Sequence, residues 1–355
     1  MPITSLDDLL SVDTLTGLIR TFADQSDNRS CTTMFAENAR PLLPAGESVS
    51  WDEVEFSRHL APVTGPDSPH TRTKRLGVRK RSSTMAMVKV YKDLPASHLF
   101  LQRAPGSNFQ DAEAILSAEL EDMASLIANT KEYLACRALL GKIEVDAQKV
   151  PGSDIAFTVE FGVPTMVAPT SWGNPATKIR AEELGKLKQV YKDQSGQRAE
   201  IVVTEPTVEG YLVSNPDVRE LARDALGLTI LNNLNLQGVN PQWALLGGLN
   251  FRFTDGTYKP EGGAIERYFP KDHLLVLPGL ARMPQVIGWA EGKVHVPAGA
   301  LFGGAQGATS MIRELRGSYA YAEVRTDPMG VRVYAGWYGL PVVLNPNAIL
   351  VYRVA

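Results

Sequence analysis

The chain has only two cysteines and five histidines in 355 residues, and neither set carries the marks of a chemical site. Cys31 and Cys136 stand far apart along the chain and in different local contexts, so no disulfide framework is expected and a reducing cytoplasm is the natural place of synthesis. His59, His70, His98, His273 and His295 show no HxxxH or Cys/His spacing, which argues against a metal centre. Long apolar runs are missing too: none approaches the roughly eighteen residues of a membrane-spanning helix. The opening MPITSLDDLLSVDTL carries Asp7, Asp8 and Asp13 but no early lysine or arginine, so neither a secretory signal nor a mitochondrial presequence is expected.

Catalytic signatures are equally scarce. The Gly-Lys pairs at Gly141, Gly185 and Gly292 lack the following hydroxyl residue and the upstream glycine of a phosphate-binding loop. The glycine cluster LFGGAQGATS, 301 to 310, lacks the G-x-G-x-x-G spacing after a strand and reads as a tight or flexible loop. There is no G-x-S-x-G elbow and no S-x-x-K nucleophile. No catalytic residue, metal or cofactor is expected, and the chain reads as something other than an enzyme.

What is present is length, apolar content and unevenly placed charge. Hydrophobic residues make up 44% of the chain, enough for about two cored domains. Lysine plus arginine total 36 against 39 acidic residues, a net charge of −3, which speaks against a protein that coats DNA. Yet residues 70 to 84, HTRTKRLGVRKRSST, hold six cations and no acid: Arg72, Lys74, Arg75, Arg79, Lys80 and Arg81.

The surroundings of that stretch define it. Leu6, Leu9, Leu10, Leu15, Leu18, Ile19 and Phe22 give a weak helical pattern before the breaker ARPLLPAG, so residues 1 to 46 read as an arm. VSWDEVEF and MAMVKVYKDL partly alternate and predict two strand-like legs around an open, Pro- and Gly-rich tip. Legs of about 25 residues could reach on the order of 80 Å, too far for a hairpin to bury itself.

The next segment, beginning SNFQDAEAILSAELEDM, predicts a long helix. Ser107 and Gln110 have capping-box spacing, and Gly141 suits the stop. Phe109, Ala112, Leu116, Leu120, Met123, Ile127, Thr130 and Leu134 share one face, on a rod of roughly 48 Å. The outward side is expected to carry Asp111, Glu113, Glu119, Glu121, Asp122 and Glu132, an acidic face complementary to the basic tip.

Beyond it, FTVEFGV predicts a strand, TKIRAEELGKLKQVYKDQSG a helix, AEIVVT a strand, and Pro206 and Pro216 open two further helices. Asp255-Gly256 predicts a hairpin between LNFRF and TYK, and HLLVLPG a buried strand. The tail predicts three or four strands joined at DPMG and NPN, so the chain returns to a sheet. Its aromatics Tyr319, Tyr321, Tyr334, Trp337 and Tyr338 read as core or interface before they read as base-stacking groups.

This ordered set resembles the major capsid proteins of tailed bacteriophages, most closely the lambda-type protein E family. The pieces that carry the likeness are RHLAP (58 to 62), ANTKEYLACRALLGKIEV (128 to 145), VTEPTVEGYLVSNPDVREL (203 to 221) and TDPMGVRVYAGWYGLPVVLNPNAI (326 to 349). The resemblance implies an α+β, Hong Kong 97-type capsid fold. Its parts would be an N-terminal arm (1 to 46), an extended loop (47 to 105), a peripheral domain with a spine helix (106 to 170), an axial domain (171 to 310) and the peripheral return strands (311 to 355).

It further implies pentamers and hexamers of the chain closing into an icosahedral shell around double-stranded DNA, without sequence-specific binding. Scaffold, portal and decoration proteins are the implied partners, the virion the location, and the host bacterial cytoplasm the place of assembly. Arg72, Lys74, Arg75, Arg79, Lys80 and Arg81 would then meet Asp111, Glu113, Glu119, Glu121 and Asp122 of an adjacent subunit. Some members of the fold join the loop to the peripheral domain by a Lys–Asn bond. Lys80, Lys89 or Lys92 with Asn345 or Asn347 are the residue types available, but the lambda-type branch does not generally work this way. The rival expectation is a nucleic-acid-binding protein using residues 72 to 81, with steeply salt-dependent affinity.

Overall fold

The computed structural model describes residues 10–24, 29–44, 46–54, 60, 63, 78–95, 110–150, 152–223, 246, 248–260, 263–297, 312–327 and 329–354. The loop tip with Arg72, Lys74 and Arg75, the expected cap Ser107, Phe109 and the glycine cluster at 301 to 310 lie outside them. Among the described residues no helix is long and apolar enough to cross a membrane.

The long helix runs Gln110–Leu139. Leu116, Leu120, Met123 and Ile127 are buried as their spacing predicts, because steps of three and four keep them on one stripe. The expectation for Glu132 is overturned: it is fully buried, since Tyr133 to Cys136 are buried too and the last turns enter the core from all sides. The helix stops at Gly141, whose φ of +98° suits a residue without a side chain.

This spine helix packs on a five-stranded sheet. Its central strand is Met329–Val343, with Ser318–Thr326 and Ala86–Pro95 antiparallel along its first part and Ile287–Glu291 along its last. Arg40–Leu42, inside the segment read as a breaker, pairs parallel with Ile287–Glu291 and so belongs to the same sheet. Strand alternation turns Val331, Val333, Ala335 and Trp337 into the core, while Arg332 and Tyr334 point to the other face.

The N-terminal segment, as far as it is described, lies on this body. Val12–Asp24 forms a helix that buries Leu15 and Ile19 against the spine helix and Ser318–Thr326. The Thr16 hydroxyl donates to the Ala320 carbonyl at 3.2 Å and accepts the Ala320 N–H at 3.1 Å, and the Arg20 guanidinium donates to the Arg316 and Ser318 carbonyls. These side chains occupy backbone groups along a sheet edge that would otherwise stand open.

The extended loop begins as the antiparallel pair Ser48–Val54 and Val78–Thr84, and the second strand runs on past Met85 into Ala86–Pro95. The root of the hairpin is anchored by Trp51, buried with its ring 6.1 Å from that of Phe161.

A second sheet orders Thr165–Val167, Leu350–Arg353, His273–Leu277, Ile201–Thr204 and Asn250–Phe253. It is a wall between two cores. Val202, Leu274, Val276, Leu350 and Tyr352 face the helices Leu184–Ser195, Pro206–Ser214 and Pro216–Arg223, whereas Ile201, Val203, Leu275, Leu277 and Val351 join the core of the first sheet. Burial on both faces is why IVVT and HLLVL read as unbroken apolar runs.

One expectation changes here. The Asp255-Gly256 hairpin does not form, because Asn250–Phe253 pairs parallel with Ile201–Thr204 and Thr257–Tyr258 pairs with Glu266–Arg267. Leu350–Arg353 joins the second sheet and Ile287–Glu291 the first.

Candidate assembly surface

The basic root of the hairpin lies on Val78–Thr84, opposite an acidic strand. The register sets Arg79 across from Glu53, Lys80 from Asp52 and Arg81 from Trp51. Arg81 Nε binds Glu53 at 2.6 Å, and its Nη1 donates to the Glu160 carbonyl at 2.8 Å, so this cation holds the hairpin to its own subunit. Arg79 and Lys80 are exposed and form no ion pair among the described residues. Beside them Val78 is an exposed apolar side chain.

The acidic face of the spine helix is partly occupied from within. Lys92, on the edge strand Ala86–Pro95, reaches Glu119 at 2.5 Å and also bonds Asp122. Those hydrogen bonds, to Asp122 first and Glu119 second, hold the Lys92 ammonium above its ordinary pKa. Glu121 is exposed with no ion pair among the described residues, and Leu126, five residues on, is exposed as well. The side chains of Asp111 and Glu113 lie outside the described set. Of the eleven residues expected to meet across subunits, Arg79, Lys80 and Glu121 are therefore seen exposed and unpaired, and Arg81, Glu119 and Asp122 are engaged within the chain.

The other face of the first sheet carries a feature the sequence reading missed. Tyr321, Tyr334 and Tyr91 lie side by side across three strands, with ring centroids 4.7 Å and 6.0 Å apart. Arg332 covers Tyr91 at 4.4 Å and makes a two-pronged pair with Asp93, which lowers the Asp93 pKa through that hydrogen bond. Tyr91 keeps 59% of its surface, so the ladder ends in an exposed ring. Alternation in MVKVYKDL was the available signal, but the strand that brings Tyr334 alongside lies some 240 residues on.

Two further expectations lose part of their residues. Trp337, Tyr319 and Tyr338 are buried and offer no ring for a base to stack on. Of the residues available for a Lys–Asn bond, Asn345 is 1% exposed and Lys92 is already paired with Glu119.

The family described as phage major capsid protein E matches residues 45–353. A protein described as a prophage capsid protein of E. coli CFT073 superposes with a TM-score of 0.60 at 15% identity, covering 98% of this chain and 99% of its own. A phage-related protein from Bordetella bronchiseptica RB50 gives a TM-score of 0.50 at 9% identity, with 98% of both chains covered. No curated protein matches the sequence. At such low identities the likeness lies in the fold, which is the Hong Kong 97-type expected.

Proposed function

This chain belongs to the phage major capsid protein E family and forms a capsid shell, and from that premise we propose that its copies assemble as pentamers and hexamers of an icosahedral head around double-stranded DNA. Its task is mechanical, with no chemical step. The hairpin of one subunit lies over its neighbour, and Arg79 and Lys80, with Arg72, Lys74 and Arg75 further along, meet carboxylates of the next chain. Glu121, Asp111 and Glu113 are the first acceptors, and Glu119 and Asp122 join them by sharing Lys92 with the incoming cations.

The observation that supports this reading is the pair of exposed cations, unpaired among the described residues, at the root of a hairpin where Arg81 is satisfied at home. An exposed ion pair contributes only about 0.2 to 1 kcal/mol. Repeated around every capsomer, such pairs set register and closure without making a single contact irreversible. Scaffold, portal and decoration proteins are the further partners, and assembly takes place in the bacterial cytoplasm. The net charge of −3 suits a container that does not adhere to its contents.

Sedimentation velocity on the purified chain, with electron microscopy of the fast fraction, tests the proposal. Capsomers, shells or tubes are the expected result. A chain that stays monomeric when co-expressed with its scaffold, and instead binds DNA with a steep salt slope, would replace this reading with the nucleic-acid one.

A further inference from the structure

The two cysteines, separated by 104 intervening positions, meet in the core. Cys31 opens the short helix Ser30–Asn38, Cys136 lies near the end of the spine helix, and both are 0% exposed and free. Between them sits Glu132, also 0% exposed and one turn before Cys136. The two sulfurs and a carboxylate oxygen lie within 4.8 Å of one another, and Cys136 Sγ is 3.4 Å from Glu132 Oε1.

We propose that Cys31, Glu132 and Cys136 form a binding site for a thiophilic divalent cation, zinc above all, that staples the N-terminal segment to the spine helix. Tetrahedral zinc holds sulfur at ~2.3 Å and oxygen at ~2.0 Å, which places those two ligand atoms roughly 3.5 Å apart. The sulfur–oxygen spacing here already has that value. Two thiols and a carboxylate are a donor set that favours zinc over magnesium or calcium, which prefer oxygen alone.

The surroundings are those of a supported ligand. Glu132 Oε1 accepts the Cys31 N–H at 3.0 Å and Oε2 the Thr32 N–H at 2.7 Å, so the carboxylate is oriented by backbone donors as ligating carboxylates usually are. Oε2 keeps a second lone pair, and Oε1, which also accepts the Cys136 Sγ–H, frees one when that thiol gives up its proton to bind the cation. Capping the helix accounts for the carboxylate, but not for two sulfurs converging on it. Binding releases the two thiol protons to solvent and moves no electrons. The resulting site carries one net negative charge, facing the N-terminus of Ser30–Asn38 and the nearly buried Arg29. The fourth position falls to water or to the hydroxyl of Ser30, which is buried at its oxygen. The inference stands apart from shell assembly, since all three ligands come from one chain.

Cobalt(II) is the probe. The full chain, prepared reduced and metal-free, is titrated with Co(II) and then with Zn(II). One equivalent is expected to raise a near-ultraviolet sulfur-to-cobalt band and the visible bands of a tetrahedral site, to be bleached by one equivalent of zinc, and to shift the thermal midpoint upward. Cys136→Ser and Cys31→Ser should each cut the sulfur band to half or less, and the double variant should abolish it, while circular dichroism remains that of the parent. The chain has no other cysteine, so the wild-type spectrum decides even if a variant fails to fold. Absence of the sulfur band in the folded, reduced protein would overturn the proposal. So would a thiol count of zero before any metal is added, which would mean a disulfide in place of a site.

Discussion

The carboxylate of Glu132 accepts the backbone N–H of Thr32 at 2.7 Å, tying the first turn of Ser30–Asn38 to a spine helix a hundred residues further along the chain. The cap residue Arg29 makes no side-chain cap hydrogen bond to that turn. A distant acid therefore does the work of a local serine or aspartate, and the buried charge faces the positive end of a helix.

Replacing Glu132 with alanine leaves the buried Cys31 N–H and the part-buried Thr32 N–H without their acceptor. The expected loss is about 2 to 4 kcal/mol, read as a lower urea midpoint with chelator present throughout, so that any metal contribution is removed. Glu132→Gln, which keeps one acceptor, should recover part of it.

Gly141→Ala should cost about 2 to 4 kcal/mol. The backbone there is left-handed at φ +98°, and an added Cβ would lie 2.8 Å from Val163 Cβ. Gly185→Ala is the contrasting substitution: it lies in the helix Leu184–Ser195 with nothing within 4 Å, and it should stabilise by roughly 0.5 to 1 kcal/mol. Thermal midpoints of the two variants should move in opposite directions.

Acid should weaken the fold through Glu144. Its hydrogen bonds to Lys142 and Lys149 pull its pKa down to about 2. A carboxylate depressed in the folded state contributes stability that is complete above its ordinary value of about 4.3 and is lost as pH falls through the folded value. Stability of the wild type is therefore expected to fall between about pH 4 and pH 2. Glu144→Gln should flatten that limb of a urea-midpoint against pH curve and leave the neutral plateau lower. Identical curves for the two proteins would count against the linkage.

Reversing the two exposed cations of the hairpin root, Arg79→Glu with Lys80→Glu, should stop shell assembly while the subunit still folds, with its stability lowered by no more than about 2 kcal/mol because the new acids stand opposite Glu53 and Asp52. Arg81→Glu should behave differently, destabilising the subunit itself, because Arg81 is bound to Glu53 and the Glu160 carbonyl. Sedimentation and a melting curve on each variant separate the two effects. Normal shells from the double reversal would remove Arg79 and Lys80 from the interface.

Local order was legible because it is written in periods and punctuation. The three- and four-residue steps from Leu116 to Leu134, the prolines opening Pro206–Ser214 and Pro216–Arg223, and the turns at DPMG and NPN each act within a few residues, where sterics and hydrogen bonding admit few answers. The order of these pieces was enough to suggest the family. Long-range partners were not legible, because a strand's sequence states which face it buries and not whose edge it will meet. Asn250–Phe253 took the edge of Ile201–Thr204 instead of folding back at Asp255-Gly256. Glu132 read as one more exposed acid until the approach of Ser30–Asn38 surrounded it with N–H donors, and the same approach brought Cys31 to Cys136. The acids and cations of the candidate surface were visible as residues. Which of them are already satisfied at home, as Arg81 and Lys92 are, depended on chain segments meeting in space, and only the tertiary structure decides that.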